Sequence, residues 1–259
     1  MQLCDALSAR REELISLWAD VFGDPPALPA RFLEELPSLG FGVAAVEGGH
    51  VLGAAYGVDA FSLREERCLY LYAVAVRPEQ RGRGLGAALS RAVFEQGKQR
   101  GAVYRCTEPA EPWLFAWYGR ILGVYPVLYR EERELVAAPG LPARPVGPEE
   151  YFTRREALLA DTPHVAYTSA LLRVEAESCR LSGGGLYAVG EGLAAACRDG
   201  EKAVIRECIG PEPERQAAAV GALLGVDRAL LRRMGGSGTP LLAGEGPFPP
   251  GTVWDLTLD

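Results

Sequence analysis

The feature that constrains the fold most is an apolar run that leads through a glycine-rich turn into an amphipathic helix. The run, Cys68 to Val76, is almost wholly apolar or aromatic, which is typical of a central strand buried on both faces. Arg77-Pro78 closes it. Beyond Gly84, apolar residues recur at the spacing of one helical face. The sequence thus predicts a buried strand, a turn and a helix in direct succession.

The turn itself has the pattern Arg81-x-x-Gly84-x-Gly86. The first amides of a helix have no acceptor within that helix, and the aligned peptide dipoles add positive charge there. Glycines let the oxygens of an anion approach the backbone closely, and the nearby arginines add charge. A pyrophosphate group fits such a site. The alternative is a tight turn whose arginines are only solvated.

The same spacing recurs at Arg180 and at Arg233, so the pattern by itself carries little weight in a chain rich in arginine and glycine. A strand pattern follows the Arg180 copy, and Thr239-Pro240 follows the Arg233 copy. Only the Arg81 copy lies between a predicted strand and a predicted helix. This context favours Arg81 as the start of the anion site.

Patterns of apolar residues and turn residues predict the other elements, and a proline-rich segment at 139–150 predicts a linker. We therefore expect one domain at 1–138 and another at 151–259. Ser8 is the predicted cap of the first helix. The predicted elements are helices at 14–22, 29–36, 112–122 and 213–224, and strands at 41–46, 51–58, 102–107, 127–136, 186–190, 193–198, 202–209 and 253–258.

The segment from Tyr72 to Leu89 resembles the signature of the GNAT superfamily of N-acetyltransferases, and the order of predicted elements extends this resemblance from Met1 to about Val136. The resemblance implies an α/β (α+β) fold, a mixed twisted sheet flanked by helices. It also implies acetyl-CoA as co-substrate, no metal, and direct transfer to an amine. The cofactor-binding residues that it implies are Val74, Ala75, Val76, Arg81, Gly82, Arg83, Gly84, Leu85, Gly86 and Ala87.

The resemblance also suggests catalytic residues. Many relatives carry a glutamate base on the central strand, and the matching position here is Tyr70. Glu108, at the end of the strand 102–107, is the nearest alternative carboxylate. Tyr118 matches the tyrosine that relatives place near the leaving thiolate, although the following glycine is displaced by one residue. Tyr72 shares a strand face with Tyr70, and both are predicted either to line the acceptor site or to be core aromatics.

The C-terminal half repeats part of the first, because a buried strand again runs into x-Pro-Glu and then a helix, at Ile209 to Glu212. We interpret this as a degenerate GNAT-like duplication without a phosphate loop, since prolines and acidic residues replace the glycines. This half is expected to shape the acceptor site or to mediate association, for example in a homodimer. His164 and Tyr167 are further residues that can reach the site, although a structural role is the favoured alternative for His164. Glu207 is predicted to be either a buried carboxylate or a water-facing one.

Composition limits the other functions. A net charge of −7 argues against a large nucleic-acid surface, which needs clustered cations. The six cysteines form no C-x-x-C pair and are expected to be reduced thiols in a cytoplasmic protein. The N-terminus is too polar for a signal peptide, and no apolar run is long enough for a membrane span. The expected partner is a small-molecule amine or a protein amino group. A non-catalytic acyl-CoA-binding module and aminoacyl transfer from a tRNA remain alternatives.

Overall fold

The computed structural model describes residues 1–235 and 238–258, and these fall into two compact units. The N-terminal unit contains Met1–Val127 and Leu241–Phe248, and the C-terminal unit contains Leu128–Pro240 and Pro249–Asp259. The division lies inside the strand that the sequence predicts at 127–136. The proline-rich segment 139–150 belongs to the C-terminal unit and contributes a short strand to it.

The strands and helices of the two units follow one another along the chain in the order given below. Up to the division of the chain they are β1 (Gln2–Asp5), α1 (Arg11–Phe22), α2 (Ala27–Leu39), β2 (Gly40–Glu47), β3 (His50–Leu63), β4 (Glu66–Val76), α3 (Leu85–Gln99), β5 (Tyr104–Thr107), α4 (Pro112–Leu122) and β6 (Tyr125–Val136). They continue with β7 (Ala143–Pro145), α5 (Pro148–Leu158), β8 (Val165–Ala166), α6 (Ser169–Leu181), β9 (Gly185–Val189), β10 (Gly192–Asp199), β11 (Lys202–Ile209), α7 (Pro213–Leu223), β12 (Arg228–Gly235) and β13 (Thr239–Glu245).

The N-terminal unit is built on strands in the order β1-β2-β3-β4-β5-β13. Neighbours are antiparallel except β4 and β5, which run parallel because α3 returns the chain between them. Helix α3 packs on the sheet through Leu85, Leu89 and Val93. Each buried side chain of this kind stabilises the fold by roughly 1.5–3 kcal/mol, which fixes the start of α3 against the end of β4.

The helix boundaries agree with the sequence patterns where the apolar spacing is regular. Helix α4 has the predicted bounds, Pro112–Leu122, and α3 begins directly after Gly84. The predicted cap of α1 is wrong, because Ser8 ends a short 3₁₀ turn and Arg10 occupies the cap position. The Arg180 copy of the glycine pattern lies between α6 and β9, as its context predicts, and Gly236 of the Arg233 copy lies outside the described residues.

The predicted strand at 253–258 is also wrong, although the segment is buried through Trp254, Leu256 and Leu258. It forms no ladder, and Val253 makes a single bridge to His164. Its amides find other acceptors: Leu256 N donates to the Tyr167 hydroxyl at 3.1 Å, and Leu258 N donates to Glu175 Oε1 at 2.8 Å. Side chains thus satisfy the backbone that a neighbouring strand would otherwise satisfy.

The C-terminal unit contains strands in the order β6-β12-β11-β10-β9-β7, with β11 and β12 parallel and the other pairs antiparallel. Helix α7 connects β11 to β12 as α3 connects β4 to β5. The pairing of β11 with β10 shifts register between Ile205 and Glu207. The pairing of β4 with β3 also shifts register. This shared order supports the duplication, which stays a prediction.

A buried ionic network lies in the C-terminal unit. Arg155 and Glu207 are fully buried, and Arg155 Nε donates to Glu207 Oε1 at 3.1 Å. The Tyr151 hydroxyl donates to Glu207 Oε2 at 2.8 Å, and the Arg155 guanidinium lies 3.7 Å from the centre of the Tyr167 ring. The prediction of a buried carboxylate at Glu207 is therefore confirmed, and that of a water-facing one is wrong. His164 contacts Glu156 at 3.1 Å within the same unit.

Candidate functional site

The two parallel strands β4 and β5 pair over only part of their length. Their pairing runs from Cys68–Tyr104 to Leu71–Thr107, and β4 continues to Val76 without β5 beside it. At the point of divergence Ala73 has φ +47°, and two residues of β4 oppose one of β3. Such a bulge bends a strand and re-aims the residues beyond it. The end of β4 is therefore directed away from β5.

The backbone beyond the bulge has a definite orientation. The Arg77 amide donates to Leu52 O of β3 at 3.0 Å, so the Val76 carbonyl on the same peptide points to the opposite edge. Arg81 Nε donates to that carbonyl at 3.2 Å, which fits this direction. Because strand residues alternate, Val74 presents its polar backbone groups to the same edge as Val76, and Ala75 faces β3. Val74 and Val76 thus offer hydrogen-bonding groups where β5 has diverged.

The glycine turn after β4 leaves open space at its backbone. Gly82 has φ +76° and Gly84 has φ +79°, and a Cβ atom built on either would meet no atom within 4 Å. Gly84 caps α3 without any side-chain cap hydrogen bond. The amides of Leu85, Gly86 and Ala87 are the first of the helix and have no acceptor inside it. The turn and the helix start therefore fit an anion with several oxygens.

Three arginines lie at this turn, and their side chains have different hydrogen-bond partners. Arg77 Nε donates to Val51 O at 2.7 Å and Arg81 holds Val76, so both fix the turn to the sheet. Arg83 contacts Gln80 Oε1 at 2.7 Å and is exposed. Because Arg83 lies between the two left-handed glycines, its charge adds directly to the field of the turn.

The Tyr118 hydroxyl is buried and contacts Thr107 at the end of β5. Tyr118 is 6% exposed, and burial raises its pKa to about 12, partly opposed by a hydrogen bond with the Thr107 side chain. The Thr107 hydroxyl donates to Leu71 O at 3.0 Å, and Leu71 and Thr107 are the last residue pair of the β4–β5 ladder. Tyr118 thus lies at the point where the two strands diverge, and it stays protonated at neutral pH.

The other predicted site residues occupy two places. Glu108 directly follows β5 and Thr107, and it is half-buried. Tyr70 and Tyr72 lie on the other face of the sheet, with ring centres 5.8 Å apart. Tyr72 also contacts Trp18 and Phe32, at 5.2 and 5.3 Å between ring centres. Tyr70 is 3% exposed, so it packs as a core aromatic, whereas Tyr72 is half-buried.

Sequence reasoning missed three contributors to this site. The bulge at Ala73 has no sequence signal, because nothing about alanine indicates a positive φ. Thr107 ends the short strand β5 with a buried hydroxyl, which could have indicated a local role. Trp117 approaches Gly86, since a Cβ built there would lie 3.7 Å from its ring and 3.8 Å from Val76. These distances are ordinary contacts, so Gly86 is not sterically required to be glycine for folding.

This arrangement defines a class: an α/β protein that can hold an elongated anionic ligand across diverging strands and a helix start. Residues 8–124 match the family model described as the acetyltransferase (GNAT) family. The match contains the glycine turn, the diverging strands and Tyr118. This part of the N-terminal unit is therefore similar to the GNAT acetyltransferase family, and the fold class is that predicted from the sequence.

Solved structures show the same fold at low sequence identity. A GCN5-related N-acetyltransferase from Kribbella flavida is 18% identical with a TM-score of 0.63, covering 89% of this chain. A conserved protein from Enterococcus faecalis V583 (15% identity, TM-score 0.67) and Eis1 from Mycobacterium abscessus (17%, 0.62) cover 95% and 93%. This chain spans 63%, 71% and 66% of their respective lengths. No curated protein sequence matches the chain significantly.

Neither a membrane-spanning helix nor a metal-binding cluster is found among the described residues, 1–235 and 238–258. No helix among them has the length and apolar character for crossing a bilayer. Within the same part of the chain, no group of three or more His, Cys, Asp or Glu side chains is arranged to hold a metal ion.

Proposed function

We propose that this chain is an acetyl-CoA-dependent N-acetyltransferase that transfers the acetyl group directly to an amine. The observation that carries the proposal is the presence, in one unit, of the glycine turn at the start of α3 and the divergence of β4 from β5. The turn would hold the pyrophosphate through the amides from Gly82 to Ala87. Val74 and Val76 would bind the amide groups of the pantetheine arm, which enters alongside β4.

The position of Tyr118 suits the leaving thiolate. Bound acetyl-CoA supplies a thioester, an acyl group activated toward an amine. A phenol with a pKa of about 12 donates fully to a thiolate with a pKa of about 8.5 only at a cost of roughly 5 kcal/mol. We therefore propose that Tyr118 donates a hydrogen bond to the developing charge and keeps its proton. Thr107 contacts the Tyr118 hydroxyl, and because the Thr107 proton is donated to Leu71 O, Tyr118 would turn its own proton from Thr107 to the sulfur.

The acceptor must lose a proton before it can attack. An alkyl ammonium with a pKa of about 10.4 requires roughly 4–5 kcal/mol for deprotonation at pH 7, so a base helps. Glu108 is the proposed base, because it follows Thr107 at the diverging end of β5. The acceptor is proposed to be a small-molecule amine or a protein amino group.

The second candidate is an acyl-CoA-binding module without catalysis. It is favoured by Tyr70, whose buried aromatic ring stands at the strand position where the family resemblance places a carboxylate. Calorimetry with acetyl-CoA and a thiol-release assay against a panel of amines distinguish the two. Binding accompanied by thiol release on any amine supports the enzyme. Binding without release on all of them supports the module.

The Tyr118→Phe variant is expected to lower kcat about tenfold to hundredfold while the Kd for acetyl-CoA changes less than about threefold. A hydrogen bond to a charged group contributes roughly 1.5–3 kcal/mol, and the phenylalanine ring keeps the packing. Thr107 retains Leu71 O as its acceptor, so no buried donor is stranded. The measurements are steady-state kinetics and calorimetry on the same preparations.

Tyr125→Phe is the matched control for that experiment, because Tyr125 is a 57% exposed tyrosine just beyond α4. Its kinetics are expected to equal those of the parent. A parental kcat in Tyr118→Phe would show that Tyr118 is a packing residue only.

A further inference from the structure

Two cysteines of the C-terminal unit lie in sulfur–sulfur contact. Cys179 on α6 and Cys197 on β10 have Sγ atoms 3.6 Å apart. A disulfide requires an S–S distance of about 2.05 Å, so the two sulfur atoms need only a small movement toward each other to form the bond. Cys179 is fully buried, whereas Cys197 retains solvent exposure. Cys197 is therefore the thiol of the pair that a small reagent is expected to reach more readily.

A cation lies beside the accessible thiol. Arg206 Nη1 is 3.7 Å from Cys197 Sγ and 3.1 Å from Ser178 Oγ, and the Arg206 side chain is 3% exposed. Glu175 Oε2 approaches the same guanidinium at 3.4 Å, so the positive charge is partly balanced. A neighbouring guanidinium favours the thiolate, which is the reactive form of cysteine. Cys179 keeps its proton, because its contact with Cys197 and its burial raise its pKa well above the ordinary value.

We propose that Cys179 and Cys197 form a modification site at which a peroxide generates an intramolecular disulfide. The Cys197 thiolate attacks one oxygen of hydrogen peroxide, the O–O bond breaks, and hydroxide leaves and takes up a proton. Cys197 is then a sulfenic acid. The Cys179 sulfur attacks the Cys197 sulfur, loses its proton, and displaces the oxygen as water. Two thiols and one peroxide thus give one disulfide and two waters.

The sulfur atoms of three other buried cysteines contact carbonyl oxygens. Cys68 lies 3.8 Å from Glu66 O, Cys106 lies 3.8 Å from Leu69 O, and Cys208 lies 3.4 Å from Pro213 O. Burial raises the pKa of Cys68 and of Cys208 to about 12. These thiols are therefore expected to be far less reactive than Cys197.

The test uses the reduced full-length chain, a small molar excess of hydrogen peroxide, and alkylation of the remaining thiols under denaturing conditions. Trypsin cleaves after Arg173, Arg180 and Arg198, which places the two cysteines on the separate peptides 174–180 and 181–198. Mass spectrometry is expected to find these peptides joined in most of the oxidised protein, with the other four cysteines alkylated. The joined form is also expected to raise Tm by several degrees, and a reductant reverses both changes.

Variants separate the two steps. In Cys179→Ser, Cys197 is expected to accumulate as a sulfenic acid that dimedone captures on peptide 181–198. Cys208→Ser is the matched control from the same unit and should give the parental yield of joined peptides. Alkylation of both cysteines after peroxide treatment, over-oxidation of Cys197 without a joined peptide, or a disulfide between two molecules would each overturn the proposal. None of these results depends on acyl transfer.

Discussion

Replacing Gly84 with glutamate is expected to weaken acetyl-CoA binding by at least about a hundredfold. The carboxylate would stand at the helix start where the proposed pyrophosphate binds. Two unit charges about 4 Å apart repel by roughly 4 kcal/mol at the effective dielectric of a protein surface, and each 1.4 kcal/mol is about tenfold in affinity. Isothermal titration calorimetry with acetyl-CoA measures this loss directly.

Gly101 provides a matched control at the other end of α3. It has φ +85°, against +79° for Gly84, and at both positions a Cβ atom would meet nothing within 4 Å. Gly101→Glu therefore adds the same charge and a similar backbone strain of roughly 1–2 kcal/mol, away from the proposed site. Gly101→Glu should lose somewhat more thermal stability, because its charge stands at the C-terminal end of α3, and only Gly84→Glu should lose affinity. Equal affinities in the two variants would remove the basis for the pyrophosphate site.

Replacing Asp255 with asparagine is expected to change how the stability of the protein depends on pH. Burial raises the pKa of Asp255 to about 7, and the nearby Glu207 carboxylate adds to this, against a 2.7 Å hydrogen bond from Met234 N. The folded-state pKa thus lies above the unfolded one, near 3.8. Between these values the native state binds more protons, so this residue makes the protein less stable as pH rises from about 4 to 7.

The asparagine side chain has no proton to lose over this range, so Asp255→Asn should lack that decline. The full shift corresponds to about 4 kcal/mol, and because part of Asp255 contacts solvent we expect roughly 2–4 kcal/mol. Urea unfolding of parent and variant at pH 5 and pH 8 gives the comparison. The variant should gain stability relative to the parent at pH 8. Asp161→Asn, an exposed position in the same unit, should show no such gain, and a gain of equal size there would contradict the assignment.

Several elements with a regular apolar face could be predicted from the sequence, although α6, which buries Leu171, Leu172 and Val174, was missed, and elements held by polar groups could not be predicted. Helix α3 buries Leu85, Leu89 and Val93 at helical spacing, and both its start and its role were predictable. Helix α5 was missed because its two buried residues are Tyr151 and Arg155, the latter in a buried ion pair. An arginine in a core position gives no apolar periodicity, and its partner Glu207 is 52 residues away in the chain.

Some features of the candidate site could likewise be predicted from the sequence, and others could not. The glycine turn could be predicted, because a left-handed backbone and an uncapped helix start depend on local residues. The bulge at Ala73 and the contact between Thr107 and Tyr118 depend on strands and a helix that meet only after folding. The sequence therefore indicated the turn that is proposed to bind an anion, but gave no indication of how β4 separates from β5.

That separation has a thermodynamic consequence for the whole N-terminal unit. Beyond Leu71, the exposed edge of β4 is an incomplete sheet, and a ligand that carries amides can take the place of the missing strand. Ligand affinity and the stability of the sheet would then be linked, because each hydrogen bond that the proposed ligand made to Val74 or Val76 would also extend the sheet. Ligand binding is therefore expected to raise the free energy of unfolding of the N-terminal unit.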